Sequence, residues 1–281
     1  MTKPISSSSE TGKIRMPLWK WLLLLIVGCI LFYFLYGVAN IAATASDSPA
    51  VGTLLCICAS AAMLALYAGL SSLTEKRKID ELRLRSLPAH LGTGFAAGAA
   101  IFSISAIILA LCGCFKIISV GCNAMQLVYA LSYMLVIATC EEIIFRGILF
   151  RLIDARFGIW AALCVSALIF GFMHIMNPGA TILSSIYIAI EAGILLGAAY
   201  KYTGTLWFPI GIHWAWNFFE GNIFGFPVSG MPFDISLIRS QTDGPELLTG
   251  GSFGPEASLI IPLVCLSLAI FLLYRHLHRS A

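Results

Sequence analysis

The chain has 281 residues, of which 59% are hydrophobic and only 11% charged, and its formal net charge is +3. A mean hydropathy of +0.91 excludes an ordinary soluble globule, and so small a basic excess gives no reason to expect a nucleic-acid partner. The composition fits an all-α, polytopic membrane helical bundle, in which each helix satisfies its own backbone inside lipid.

A bilayer requires roughly 20 apolar residues per helix, and such runs occur at about 18–41, 51–73, 91–112, 125–146, 158–176, 181–200, 206–225 and 257–274. About eight transmembrane helices are therefore expected, in one transmembrane domain over 18–281, after a cytoplasmic tail at 1–17. The breaks between runs carry turn chemistry, as at Asp47-Ser48-Pro49, Phe157-Gly158, Asn177-Pro178-Gly179 and Thr203-Gly204. The first run, with basic residues before it and Ala43-Thr44-Ala45 after it, has the outline of a signal peptide. Its apolar stretch is too long for a cleaved leader, so a retained anchor is expected.

Charge asymmetry sets the orientation. Lys3, Lys13, Arg15 and Lys20 precede the first run; Lys76, Arg77, Lys78, Arg83 and Arg85 follow the second; Arg146, Arg151 and Arg156 close the fourth. Lys201, Arg275 and Arg279 fall on the same side, against Lys116 and Arg239 on the other. The positive-inside rule then gives a multi-pass protein of the cell membrane with both termini cytoplasmic and its basic face on the lipid bilayer.

Of the nine cysteines, Cys29, Cys56, Cys58, Cys140, Cys164 and Cys265 lie within apolar runs as small fillers. Cys112, Cys114 and Cys122 approach an external loop, but the odd total and the lack of a CxxC pair argue against a structural bridge. The long loop at about 226–256, rich in Gly and Pro, reads as either a mobile linker or a lid.

Ionisable side chains inside the apolar runs carry the chemistry, because such groups are costly in hydrocarbon and mark a working site. Glu141, Glu142 and Arg146 share one run, Phe170 and His174 the next, Glu191 a third, and His213, Asn217 and Glu220 a fourth. Glu142 and Arg146, four apart, stack on one helical face and can pair. Glu141 points about 100° away and lacks that partner, which suits a base acting on water. The ring of Phe170, four before His174, can restrict the imidazole. His213, Asn217 and Glu220 follow at i, i+4 and i+7 and share a face. Glu141 and His174 lie nearly equidistant from the Phe157-Gly158 turn, so an antiparallel hairpin brings both to one depth, about 24 Å from it. Each feature also has a plain alternative as interhelical hydrogen bonding.

The order EExxxR at Glu141-Glu142 to Arg146, FxxxH at Phe170 to His174, and HxxxN at His213 to Asn217 resembles the type II CAAX prenyl endopeptidase family, also called the CPBP or Abi family of intramembrane proteases. The resemblance covers about 125–225 and includes the stretch from Tyr202 to Ile210. It implies a peptide hydrolase working at or within the membrane. Glu141 would act as base on water with His174 assisting, His213 and Asn217 would stabilise the oxyanion, and Glu142 and Arg146 would support them. Phe170 and Glu220 join as supporting residues on their helical positions.

A divalent metal such as zinc is a separate question, for which Glu141, His174 and His213 would be the three protein ligands. Acid, imidazole and amide also work without one. The expected partner is a membrane-associated peptide or protein substrate: a prenylated tail, a secreted precursor or a membrane protein. Two rival readings are a catalytically silent immunity or scaffold protein of the same fold and a proton-coupled transporter, although transporters usually show repeated halves that are missing here.

Overall fold

The computed structural model describes residues 17–279, so the tail expected at 1–17 lies, but for Pro17, outside the described residues. The helices are α1 (Leu18–Thr44), α2 (Pro49–Glu75), α3 (Leu87–Leu111), α4 (Ala124–Phe157), α5 (Ile159–Met173), α6 (Ile182–Thr203), α7 (207–223) and α8 (Ile260–Arg279). Seven stretches among the described residues are long and apolar enough to cross a bilayer, and the protein is a polytopic helical bundle.

Helix α7 is the exception among the eight expected spans. Its two parts hold 11 and 6 residues, so at about 1.5 Å per residue it falls short of a hydrocarbon core of about 30 Å. Most of its residues are buried, because neighbouring helices surround it. Leu206 N–H bonds Glu81 O and Trp207 Nε1 bonds Arg83 O at its start, while Phe226 N–H bonds Glu220 O just past its end.

Close backbone approach seats α7. A Cβ added at Gly94 or Gly98 of α3 would strike the carbonyls of Phe208 and Ile212, and one at Gly211 would strike Leu91 O. Small residues are what allow two membrane helices to meet this closely. Gly98→Val should therefore force the seam apart at a cost of about 1–3 kcal/mol or more, as overpacking does. A fall in membrane abundance and in thermal stability of the purified protein is the measurement that checks it.

Local chemistry sets the other ends. Asn123 caps α4 by accepting from Met125 N–H and Gln126 N–H at 2.9 and 3.2 Å. Thr181 and Ser184 form a reciprocal capping box at the start of α6. Gly158, with φ +87, makes the turn from α4 into α5.

Charged and polar residues gather at one end of the bundle. Lys20 donates to Thr74 O, Arg151 pairs with Glu75, Arg77 with Glu81, and Lys201 with Asp154 at 2.6 Å. The opposite end holds a feature that an all-α reading did not include, a two-stranded antiparallel pair. Strand β1 (Phe115–Val120) and strand β2 (Ile238–Thr242) run in register from Phe115 opposite Thr242 to Val120 opposite Ile238, with an irregularity between Ile117 and Ser119. The pair ties the 112–123 connection to the long loop. All nine cysteines are free.

Helix α1 lies against the bundle along one side, with Trp21, Phe32 and Ala43 buried. Trp21 Nε1 donates to Leu152 O, Cys140 Sγ to Phe32 O, and Tyr133 Oη to Asn40 Oδ1 at 2.6 Å.

Three helices contain π-helical stretches: Ile143–Phe150 in α4, Ala189–Ile194 in α6 and Phe218–Ile223 in α7. Each carries a buried ionisable residue, Arg146, Glu191 and Glu220 respectively. Such interruptions of α-helical hydrogen bonding recur at functional sites, and here they shift side chains off the positions that a uniform 3.6-residue period assigns.

Candidate active site

A cavity of about 340 Å³ lies between α1, α4, α5, α6 and α7, and its wall includes Glu141, His174, His213 and Asn217. Phe170 lines it as well. Glu141 from α4, His174 from the turn just past α5, and His213 and Asn217 from α7 thus face one space.

Both imidazoles are fixed by an oxygen on Nδ1. His174 Nδ1 lies 2.8 Å from Phe170 O, and a carbonyl only accepts, so the proton sits on Nδ1 and Nε2 is left for the cavity. His213 Nδ1 lies 2.9 Å from Glu142 Oε1, the same oxygen that takes Arg146 Nη1 at 2.7 Å. A carboxylate held by a guanidinium is likewise an acceptor, so His213 also carries a proton on Nδ1. Its Nε2 stands 3.7 Å from Glu141 Oε2.

Glu141 is therefore less isolated than its position on the helix suggests, being within ion-pair reach of His213. Glu142 and Arg146 sit behind the cavity wall, 0% and 1% exposed. Arg146 reaches further: Nη2 donates to the carbonyls of Ala192 and Gly193 in the π-helical part of α6. Its guanidinium also stacks 4.9 Å above the centre of the Phe170 ring, whose other neighbours are His174 at 5.1 Å and His213 at 6.1 Å. Phe170 is thus the spacer between the two imidazoles, and Arg146 braces it.

Glu220 does not line the cavity. The π-helical stretch that begins at Phe218 turns it away from His213 and Asn217, and its Oε2 accepts from Trp216 Nε1 at 3.2 Å. Glu191 is buried off the cavity as well, with no hydrogen-bond partner for either carboxyl oxygen.

Several cavity residues escape a motif search. Tyr36 and Asn40 come from α1 and Tyr133 from α4, and Tyr133 donates to Asn40. Asn40 is a lone amide in an apolar helix, a signal that was available in the sequence. Asn177, Ser229 and Glu256 also line the space, and nothing local in the chain marks them.

The donor set does not fit a metal ion. Among the described residues no three His, Cys, Asp or Glu side chains converge as ligands, and Glu141, His174 and His213 are no exception. What the arrangement can do is hold a water beside a carboxylate and an imidazole, with an amide and a second imidazole across from it.

The fold and this site define a class, a polytopic helical bundle with a polar cavity lined by carboxylate, imidazole and amide side chains. Residues 123–219 match the family model described as type II CAAX prenyl endopeptidase Rce1-like, in agreement with the resemblance carried by the three motifs. Helices α1 to α3, the long loop and α8 lie outside the matched segment. No curated protein and no solved structure matches the chain.

Proposed function

We propose that the protein is an active intramembrane endopeptidase that hydrolyses a peptide bond with water activated by Glu141. The observation that carries this reading is the convergence of Glu141, His174, His213 and Asn217 on one cavity, with Nε2 of both histidines left open by the bonds at Nδ1.

A water beside Glu141 and His174 Nε2 gives its proton to Glu141 as its oxygen attacks the peptide carbonyl carbon. The carbonyl oxygen becomes an oxyanion, which accepts from Asn217 Nδ2 and from His213 Nε2 when that ring carries a second proton. As the C–N bond breaks, the proton held by Glu141 passes to the leaving nitrogen, so carboxyl and amine products account for every atom. No step here uses a metal.

The substrate is a membrane-associated protein or peptide precursor. With the basic end of the bundle cytoplasmic, as the positive-inside rule directs, both termini are cytoplasmic and the β1–β2 end faces outward. Asn177, Val228, Ser229 and residues 231–233 border the cavity on the side of the long loop. This supports a segment presented from the outer side, such as a secreted precursor or membrane protein, over a cytoplasmic prenylated tail.

The test is a comparison of membrane and secreted peptides from cells with native protein, with Glu141→Gln, and without the chain. Products present only with the native protein support the reading; identical peptides in all three sink it. Asn217→Ala should lower turnover by about 10²–10³, the usual loss on removing one oxyanion donor, at unchanged membrane abundance. Cleavage rates on the peptide found in the first experiment check this.

A further inference from the structure

The long loop between α7 and α8 is folded over the cavity. Val228, Ser229, Met231, Pro232 and Phe233 form part of its wall, and only Ser229 among them is polar. Val228 packs with Met134 of α4 and Phe218 of α7, and Phe233 stands edge-on to Tyr133.

A buried carboxylate anchors this segment from one side. Glu256, 4% exposed, accepts through Oε2 from Ser229 N–H at 2.6 Å and from Ser229 Oγ at 2.7 Å. Its Oε1 accepts from Trp216 Nε1 at 2.9 Å, and Trp216 lies between His213 and Asn217 on α7. On the other side Asn177, three residues past His174, donates Nδ2 to Ser229 O at 2.8 Å. Ser229 has φ +48, a left-handed conformation that a side-chain-bearing residue seldom adopts unless its surroundings impose it. Ser229 is thus bonded through N–H, O–H and C=O at once: N–H and O–H to Glu256, which also holds Trp216, and C=O to Asn177.

We infer that residues 226–256 form a lid closed by Glu256, a positioning residue that seats Ser229 over the cavity and holds Trp216 beside His213 and Asn217. The lid wall selects peptides with apolar side chains next to the scissile bond. This rests on the protease reading for its substrate, while the latch itself can be tested without any cleavage.

The experiment places Val228→Cys, at a position only 7% exposed, in the full chain in native membranes and measures its labelling by a membrane-impermeant maleimide, after subtracting labelling of the chain without it. Adding Glu256→Gln should raise the labelling rate per folded molecule several-fold, and Ser229→Ala, which keeps the N–H bond, should give an intermediate rise. A change in abundance with the same labelling rate would mean that Glu256 is only structural, and would overturn the latch. For the selection, internally quenched peptides with randomised residues around one bond are the probe. Phe233→Ala should broaden the preferred residues, and Glu256→Gln should raise KM about tenfold with a smaller change in kcat, as expected for one lost hydrogen bond. An unchanged preference overturns the selective role. If native protein cleaves none of these peptides, the protease reading fails while the labelling result still decides the latch.

Discussion

Glu141→Gln is expected to reach the membrane in native amounts, to fold, and to lose turnover by about 10²–10⁴, the contribution of a positioned base. The substitution keeps the size and one oxygen of the side chain, and the backbone around it is unchanged. Glu141 is the most accessible acid of the site, with 24% of its side chain exposed, and its nearest partner, His213 Nε2, is at 3.7 Å. That is too long for a hydrogen bond. Little folding energy therefore depends on the charge, and what is lost is the ability to take a proton from water. Membrane abundance, thermal stability and cleavage rate measured on one preparation check all three parts. Full activity in this variant would end the proposed role of Glu141 and leave the silent-scaffold reading in its place.

The parts of the site that depend on spacing within a single helix were legible in the chain. Glu142 and Arg146 pair at i and i+4, and Phe170 covers His174, as the periodicity of a helix requires. Equal distance from the turn at Gly158 was enough to suggest that Glu141 and His174 meet, and both line the cavity. Glu220 lies off the cavity and bonds Trp216 of its wall, because the i+7 argument assumes an unbroken α-helix, and a π-helical stretch depends on what the helix packs against. The bond from Glu142 to His213 joins residues 71 apart, beyond the reach of any periodicity. The same holds for β1, an exposed apolar run that becomes a strand only because β2 lies beside it. Ser229 and Glu256 carry no mark of their role until the loop is folded.

Glu142→Gln should fail first in stability. Glu142 Oε1 is the meeting point of Arg146 Nη1 and His213 Nδ1, and the acid and the guanidinium are both shielded from solvent. Removing the negative charge leaves Arg146 buried without a counter-ion, a change that typically costs about 3–5 kcal/mol because the surviving charge is no longer compensated. The glutamine oxygen can still accept from His213 Nδ1, so the imidazole keeps a partner while the bundle loses its ion pair. Accumulation in the membrane should therefore fall well below native, with activity per folded molecule falling less. If the stranded guanidinium is the cause, adding Arg146→Met in the same chain should recover much of the abundance, since a neutral side chain of similar length fills the space beneath Phe170 without a charge. Recovery will be incomplete, because the bonds from Arg146 to Ala192 O and Gly193 O are lost with it. The measurement is abundance and cleavage rate for native, single and double variants. Native abundance in Glu142→Gln combined with a larger activity loss than in Glu141→Gln would reverse the two assignments and make Glu142 the base.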